Sequence, residues 1–470
     1  MKYSFIILFL ATALCRGSNR NGVKVCTICR CHQSVVDCSR LDLDSSFEAS
    51  AWDDIASPNS TWREIDLSNN RIGSVTVFPK LPITKLSLRN NIIVQIADLA
   101  FKNLTHLIDL DLGDNQLTSA KLNEDIFQGP FSYSSYELLP IKNLDLSGNE
   151  IHTLNYRVFI HVPNIKRLNL RKNPLKTLTT QTVLAISELR DLEELDLSYT
   201  QLHDLPMGFL HSLNKLTVLN LKGNNLKELP SDVLFESHNL AVLNLDYNPI
   251  KAITTEKPFP DMPTLKVLQM SHMSELKRIE NYSMHGLKGL DTLLCRDNEK
   301  LEFISEFAFA SHENDTSRPN ITRLDLNDNA LRYLNRTFVN IEHLKVANLL
   351  GNIWSCDCEN QWMLTELIPH LLKMNSRFIN GLTCSEPTAM QGKHMLDLHK
   401  HNYEMRCLDY YGNDPENDSV ILITVFSLII AVMAIALVVV WKIRVGSCRR
   451  DRHDHYSRAF YKPTQTEERY

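Results

Sequence analysis

Glycine is scarce in this chain, 15 residues in 470, where average usage is roughly 7%. There is no glycine-rich phosphate loop, no His-Glu-x-x-His metal motif and no Gly-x-Ser-x-Gly turn to present a nucleophile. Histidines and acids are plentiful but scattered, so no catalytic constellation is expected. The chain reads as a binding protein and not an enzyme, with no cofactor and no metal. Nor is there a strong excess of one charge: the formal net charge of −5 excludes a general nucleic-acid binder.

Long apolar runs are limited to the two ends. Met1 and Lys2, the run over 5–14 and the small residues Gly17 and Ser18 predict a cleavable signal peptide over 1–17. Residues 420–441 carry no charge and are long enough to span a bilayer. Lys442, Arg444, Arg449, Arg450 and Arg452 follow that run, and Asp409, Asp414, Glu416 and Asp418 precede it. This asymmetry predicts a single-pass type I protein of the plasma membrane with its ectodomain outside. The tail, 442–470, is shorter than the ~50 residues a folded signalling domain needs, so any signal is expected to pass through a partner, such as a cytoplasmic adaptor, or through modification of the tail. Tyr456, Tyr461 and Tyr470 offer phosphorylation sites, and the last three residues weakly resemble a PDZ ligand, against a default of solvated tail. Seven sequons suit a secretory chain: Asn59, Asn103, Asn281, Asn314, Asn320, Asn335 and Asn417. None lies between Asn103 and Asn281, which leaves the middle of the chain free for contact.

That middle is filled by one recurring pattern, Leu-x-x-Leu-x-Leu-x-x-Asn-x-Leu. Clear copies are 83–93 (ITKLSLRNNII), 107–117 (LIDLDLGDNQL), 216–226 (LTVLNLKGNNL) and 321–331 (ITRLDLNDNAL). The asparagine position recurs from Asn70 to Asn352 at a mean step of about 26 residues, inside the ~20–29 of the leucine-rich repeat class. Side chains alternate across each short strand, so the leucines point inward and the residues between them face solvent. Asparagine bonds the backbone where the chain turns away from the strand. Thr200 and Met273 replace it in two repeats; threonine does part of the work and methionine none, so irregularity is expected over 271–276. The expected fold is an α/β solenoid, a leucine-rich repeat horseshoe with disulfide-bonded caps, plus one transmembrane helix.

Stacked repeats leave two open ends that need capping. Cys26, Cys29, Cys31 and Cys38 precede the first repeat; Cys356, Cys358, Cys384 and Cys407 follow the last. Spacing alone allows three connectivities in each group, and the first group also admits a zinc reading, disfavoured by the oxidising secretory context. With Asn352, Trp354 and Trp362, these cysteines resemble the cap modules of extracellular leucine-rich repeat proteins. That resemblance implies pairs Cys26 with Cys31, Cys29 with Cys38, Cys356 with Cys384 and Cys358 with Cys407. The domain boundaries that follow are an N-terminal cap over 18–61, repeats over 62–351, a C-terminal cap over 352–408, a stalk over 409–419, the span over 420–441 and the tail. Of the other cysteines, Cys15 falls in the signal peptide, Cys295 takes an inward leucine position, and Cys448, beside Arg449, is a candidate for palmitoylation. The order of modules is similar to adhesion proteins of the tartan, capricious and connectin type, which implies recognition of a cell-surface protein, heterophilic or homophilic. The repeats also resemble the ectodomains of Toll-like receptors, which implies the alternative of a receptor or co-receptor for a soluble ligand.

On the concave face, most exposed residues are consensus polar ones. Arg167, Arg171 and Lys172 make one repeat basic beside Glu194 and Asp196, and such charges pair across neighbouring strands. Departures from the consensus are more telling. Val218, Val242 and Val267 share one position in successive repeats, with Tyr199, Tyr247, His272 and Leu294 on the same face and Lys222, Asp246 and Arg296 as a polar border. This resembles an interface centre with its rim, against the plainer reading of strand propensity and ordinary surface. The long step between Asn115 and Asn149 contains Phe127, Phe131, Tyr133 and Tyr136; packing of these rings against the convex side is expected over a contact loop.

Overall fold

The computed structural model describes residues 24–56, 61–374, 376–408 and the helix Glu416–Asp454. The signal peptide with Cys15, Asn59, residues 409–415 of the stalk and the tail beyond 454 lie outside the described residues, as do the side chains of Asn417 and Cys448.

Fourteen strands form one curved sheet. Arg30–His32 and Val35–Asp37 pair antiparallel in the N-terminal cap, and twelve parallel strands follow, from Glu64–Asp66 to Val346–Asn348. Each is three residues long, with its central side chain buried and its outer two partly exposed in nearly every copy, as at Asp109–Asp111 and Val218–Asn220. The buried leucines therefore stack in register, Leu195 beside Leu219 beside Leu243.

Behind the sheet, the asparagines form the expected ladder. Asn224 Nδ2 donates to the carbonyls of Leu197 and Leu221, both at 2.9 Å, and its Oδ1 accepts from Leu202 N at 3.0 Å. It thus satisfies backbone groups of two repeats that have no access to water. Thr200 keeps one such bond, from its hydroxyl to the Leu197 carbonyl at 2.6 Å. At Met273 the sheet stays in register, but the ladder changes. Asn298 Oδ1 accepts from the N–H of Met273 itself at 2.7 Å, whereas Asn115 accepts from Ile93, two residues beyond the preceding ladder position. Irregularity is thus confined to the hydrogen bonds.

The convex side holds little helix: Thr180–Ser187 is the one stretch of eight residues between the caps among the described residues. Turns and two-residue strands do most of the return, including a parallel set of Ala252–Ile253, Arg278–Ile279 and Phe303–Ile304. Its core begins with buried Trp52, Phe78, Phe101 and Phe127, whose ring centroids follow one another at 5.9, 6.2 and 6.3 Å.

Each end is closed by disulfides. Cys26–Cys31 and Cys29–Cys38 hold the first cap, and Cys356–Cys384 and Cys358–Cys407 the second. Trp354 and Trp362 are buried over the last repeats, their indole N–H groups donating to the carbonyls of Leu349 and Leu334 at 2.9 and 2.8 Å. Cys295 is a buried free thiol, pushed up to about 12 by desolvation and therefore inert at neutral pH. Glu416–Asp454 contains the 26-residue stretch Val420–Val445, with an 18-residue window of mean hydropathy 3.1, the one helix among the described residues long and apolar enough to cross a membrane.

One expectation is corrected by the long repeat. Phe127 is buried, but Phe131–Ser132 and Ser135–Tyr136 form a hairpin that stands clear of the core. Tyr133 at its tip is fully exposed and Phe131 is 65% exposed. Phe131 meets Tyr136 edge-on with centroids 5.2 Å apart, and Tyr136 meets His161 at 5.8 Å.

Candidate concave interface

The residue just before each ladder position has a left-handed backbone in all twelve repeats, from Asn69 at φ 58° to Gly351 at φ 67°. The chain leaves the strand there in a tight turn. Asn, Asp and Gly suit that conformation best, and larger side chains are held in it at a cost of order 1 kcal/mol. Tyr199, Tyr247 and His272 nevertheless occupy it, at φ 57°, 58° and 56°. Their rings are consequently lined up along one edge of the concave face.

Tyr247 and His272 stack with centroids 4.4 Å apart and planes inclined by 19°. Lys222 Nζ lies 4.9 Å over the Tyr247 ring, and the Arg171 guanidinium 5.2 Å over Tyr199, both cation–π geometries. His272 Nε2 is 3.5 Å from Asp297 Oδ2, which Arg296 approaches to 3.8 Å. Between Tyr199 and Tyr247 the position is Gly223, and a Cβ there would lie 2.4 Å from the Tyr199 ring. Gly223→Ala is therefore expected to displace the ring and add left-handed strain, lowering stability by about 1–3 kcal/mol in denaturant unfolding. An unchanged midpoint would mean that the ring does not rest there.

Beside this edge runs the aliphatic lane. Val218, Val242 and Val267 are in register, with Thr292 next, all half-buried. Leu294 lies partly exposed between Gln269 and Asp325. Asp246 departs from its expected place in the rim. Gln269 is too long to fold back onto the N–H of Ser271, so Asp246 of the preceding repeat accepts it at 2.7 Å. The carboxyl is buried as a result, and that burial pushes its pKa up, with Lys222 at 4.0 Å opposing.

Sequence reasoning missed a second feature, nearer the N-terminal cap. Arg89 meets carboxylates of two further repeats, Asp145 at 3.4 Å, Asp111 at 3.7 Å and Asp114 in close contact. Asp111 is pushed up chiefly by burial, and Asp145 adds to the effect. Arg167 pairs with Glu194 at 3.0 Å, as neighbouring strands allow, but Arg171 turns to Tyr199 instead. This half of the face is a lattice of fixed charges, including Asn169 donating to Asp145 at 2.8 Å and Asn220 to Asp196 at 3.0 Å. Aligning the repeat columns does not single out Arg89, because Arg171, Lys222 and Arg296 share its column; the convergence of the three carboxylates does.

The leucine rich repeat family model matches residues 82–130 and 190–250. The chain is a leucine-rich repeat solenoid. Among curated relatives, lumican of Gallus gallus is 30% identical over 156 residues, 30% of this chain and 45% of lumican. Toll-like receptor 4 of Sus scrofa is 27% identical over 149 residues, 32% of this chain and 16% of the receptor. The leucine-rich repeat chain thus spans less than half the length of the lumican it matches. Of solved structures, a chain in the octameric complex of Latrophilin 3, Unc5D and FLRT2 is similar at 20% identity and a TM-score of 0.41, covering 78% of this chain and 96% of that one. The Drosophila Toll–Spatzle complex gives 19% identity and a TM-score of 0.45, with 76% and 56% covered.

Proposed function

We propose that this leucine-rich repeat protein is a cell-surface recognition protein that binds a protein partner through its concave face and acts in adhesion between cells. The observation that carries the reading is the row Tyr199, Tyr247 and His272. Aromatic residues kept in a left-handed conformation cost stability without filling the core, and Tyr247 is 44% exposed. Such strain is retained where a site uses it. The lane Val218, Val242, Val267 and Leu294 supplies the apolar centre, and Lys222 and Arg296 the polar rim.

In this reading the signal peptide over 1–17 delivers the chain to the surface, the apolar helix anchors it as a type I protein, and the sequons carry glycans. Among the described ones, Asn281, Asn314, Asn320 and Asn335 are exposed and Asn103 is half-buried, its amide bonded to the Phe78 carbonyl. Joint replacement Tyr247→Ala and His272→Ala is expected to weaken binding to partner-bearing cells by about 2 kcal/mol or more, roughly thirtyfold. Surface display and thermal unfolding should stay near wild type, because neither ring enters the core. Full affinity in the double variant would demote the row to scaffold. Capture of a soluble component by the displayed protein, without cell contacts, would favour the co-receptor reading.

A further inference from the structure

Around the corner from the aromatic edge, on the flank where the chain leaves the concave face, one position holds lysine or histidine in six successive repeats, four of them lysine. In three of the six the preceding residue is fixed by the ladder: Ile151, Leu202 and Leu226 donate their N–H groups to the next asparagine at 3.1, 3.0 and 3.2 Å. His152, His203 and Lys227 follow directly. Lys176 holds the same place between the histidines, with His203 Nδ1 at 3.5 Å from its carbonyl. Lys251 and Lys277 continue the row, joined by the Lys277 N–H to the Lys251 carbonyl at 2.9 Å, and Glu302 ends it in the same register.

All six side chains are exposed. Among the described residues, Lys176, Lys227, Lys251 and Lys277 form no ion pair, whereas Lys166, Lys215 and Lys300 pair with Glu193, Asp191 and Glu275 at 2.6, 2.5 and 2.8 Å. Asp204 and Glu228, which follow His203 and Lys227, leave the row in cationic excess. At roughly 5 Å per repeat the six positions extend about 25 Å. Every one of them falls between Asn103 and Asn281, where the sequence has no sequon.

We infer that this row binds a linear sulfated polysaccharide of the cell surface or matrix. A line one residue wide of four unpaired lysines, with two histidines as hydrogen-bonding partners among them, matches a chain that carries anions at regular intervals, and attraction to such a chain is gained through release of its counterions. A protein partner needs an apolar anchor at the centre of its footprint, and a bilayer needs apolar side chains to insert. Along most of the row the neighbours are polar, Thr153, Thr177, Asp204, Glu228 and Arg278, with Ala252 after Lys251 and the exposed Phe303 only at the end where Glu302 closes it.

The test passes the full-length protein, solubilised in detergent, over immobilised heparin. Retention at ~0.15 M salt, lost on desulfated heparin, is expected. The triple variant Lys227→Gln, Lys251→Gln, Lys277→Gln should bind at least tenfold more weakly, with the slope of log affinity against log salt reduced by about 2–3. The Tyr247→Ala, His272→Ala variant should bind heparin as wild type does, which separates this site from the concave one. Passage of the wild-type protein through the column, coelution of the triple variant with it, equal retention on desulfated heparin, or binding only to phosphatidylserine vesicles would each overturn the inference.

Discussion

Cys356→Ser is expected to abolish surface display of most of the protein. The Cys356–Cys384 bond closes the cap that covers the last repeat, and Cys356 N donates to the Glu386 carbonyl at 2.7 Å within it. Loss of a native disulfide from a small extracellular module costs about 2–5 kcal/mol. The damage would spread, because each repeat of a solenoid is stabilised mainly by its neighbours. Freed from the cap, the outer edge of Val346–Asn348, which pairs with no further strand, would be uncovered, and the carbonyls of Leu349 and Leu334 would lose their indole partners. Surface biotinylation checks the outcome, with retention in the secretory pathway expected. Display at the wild-type level would show that the cap is dispensable.

Asn224→Ala should destabilise the middle of the solenoid by roughly 3 kcal/mol or more. Its amide serves the carbonyls of Leu197 and Leu221 and the N–H groups of Thr200 and Leu202. Removal leaves buried groups unpaired, each costing about 1–3 kcal/mol, partly relieved by relaxation. The neighbouring repeat already has threonine in place of asparagine, so little reserve remains there. The measurement is the denaturant midpoint beside that of Asn69→Ala, which touches the turn but not the buried ladder. Equal midpoints for the two variants would refute the assigned role of the ladder.

The repeat architecture was legible because two columns, leucine and asparagine, each answer one local requirement, burial in a strand and satisfaction of a turn. Features that depend on two repeats at once were less so. Asp246 looks like a surface acid until Gln269, one repeat later, proves too long for its own turn and leaves Ser271 to it. Arg89 gains meaning only when Asp111, Asp114 and Asp145 converge on it. For the hairpin, composition gives the aromatics but not their direction: Phe127 reaches the core, while Phe131 and Tyr133, a few residues on, cannot return to it. The cationic row lies in the turn after the ladder, beyond the strand where a reading of the concave face stops.

The most direct measurement of the central claim mixes cells expressing the full-length protein, labelled in one colour, with expressing and non-expressing cells in another. Selective contacts by expressing cells, reduced when Tyr247 and His272 are both replaced by alanine, are predicted. Absence of any selective contact despite surface display, or contacts that the double variant forms as well as wild type, would contradict it.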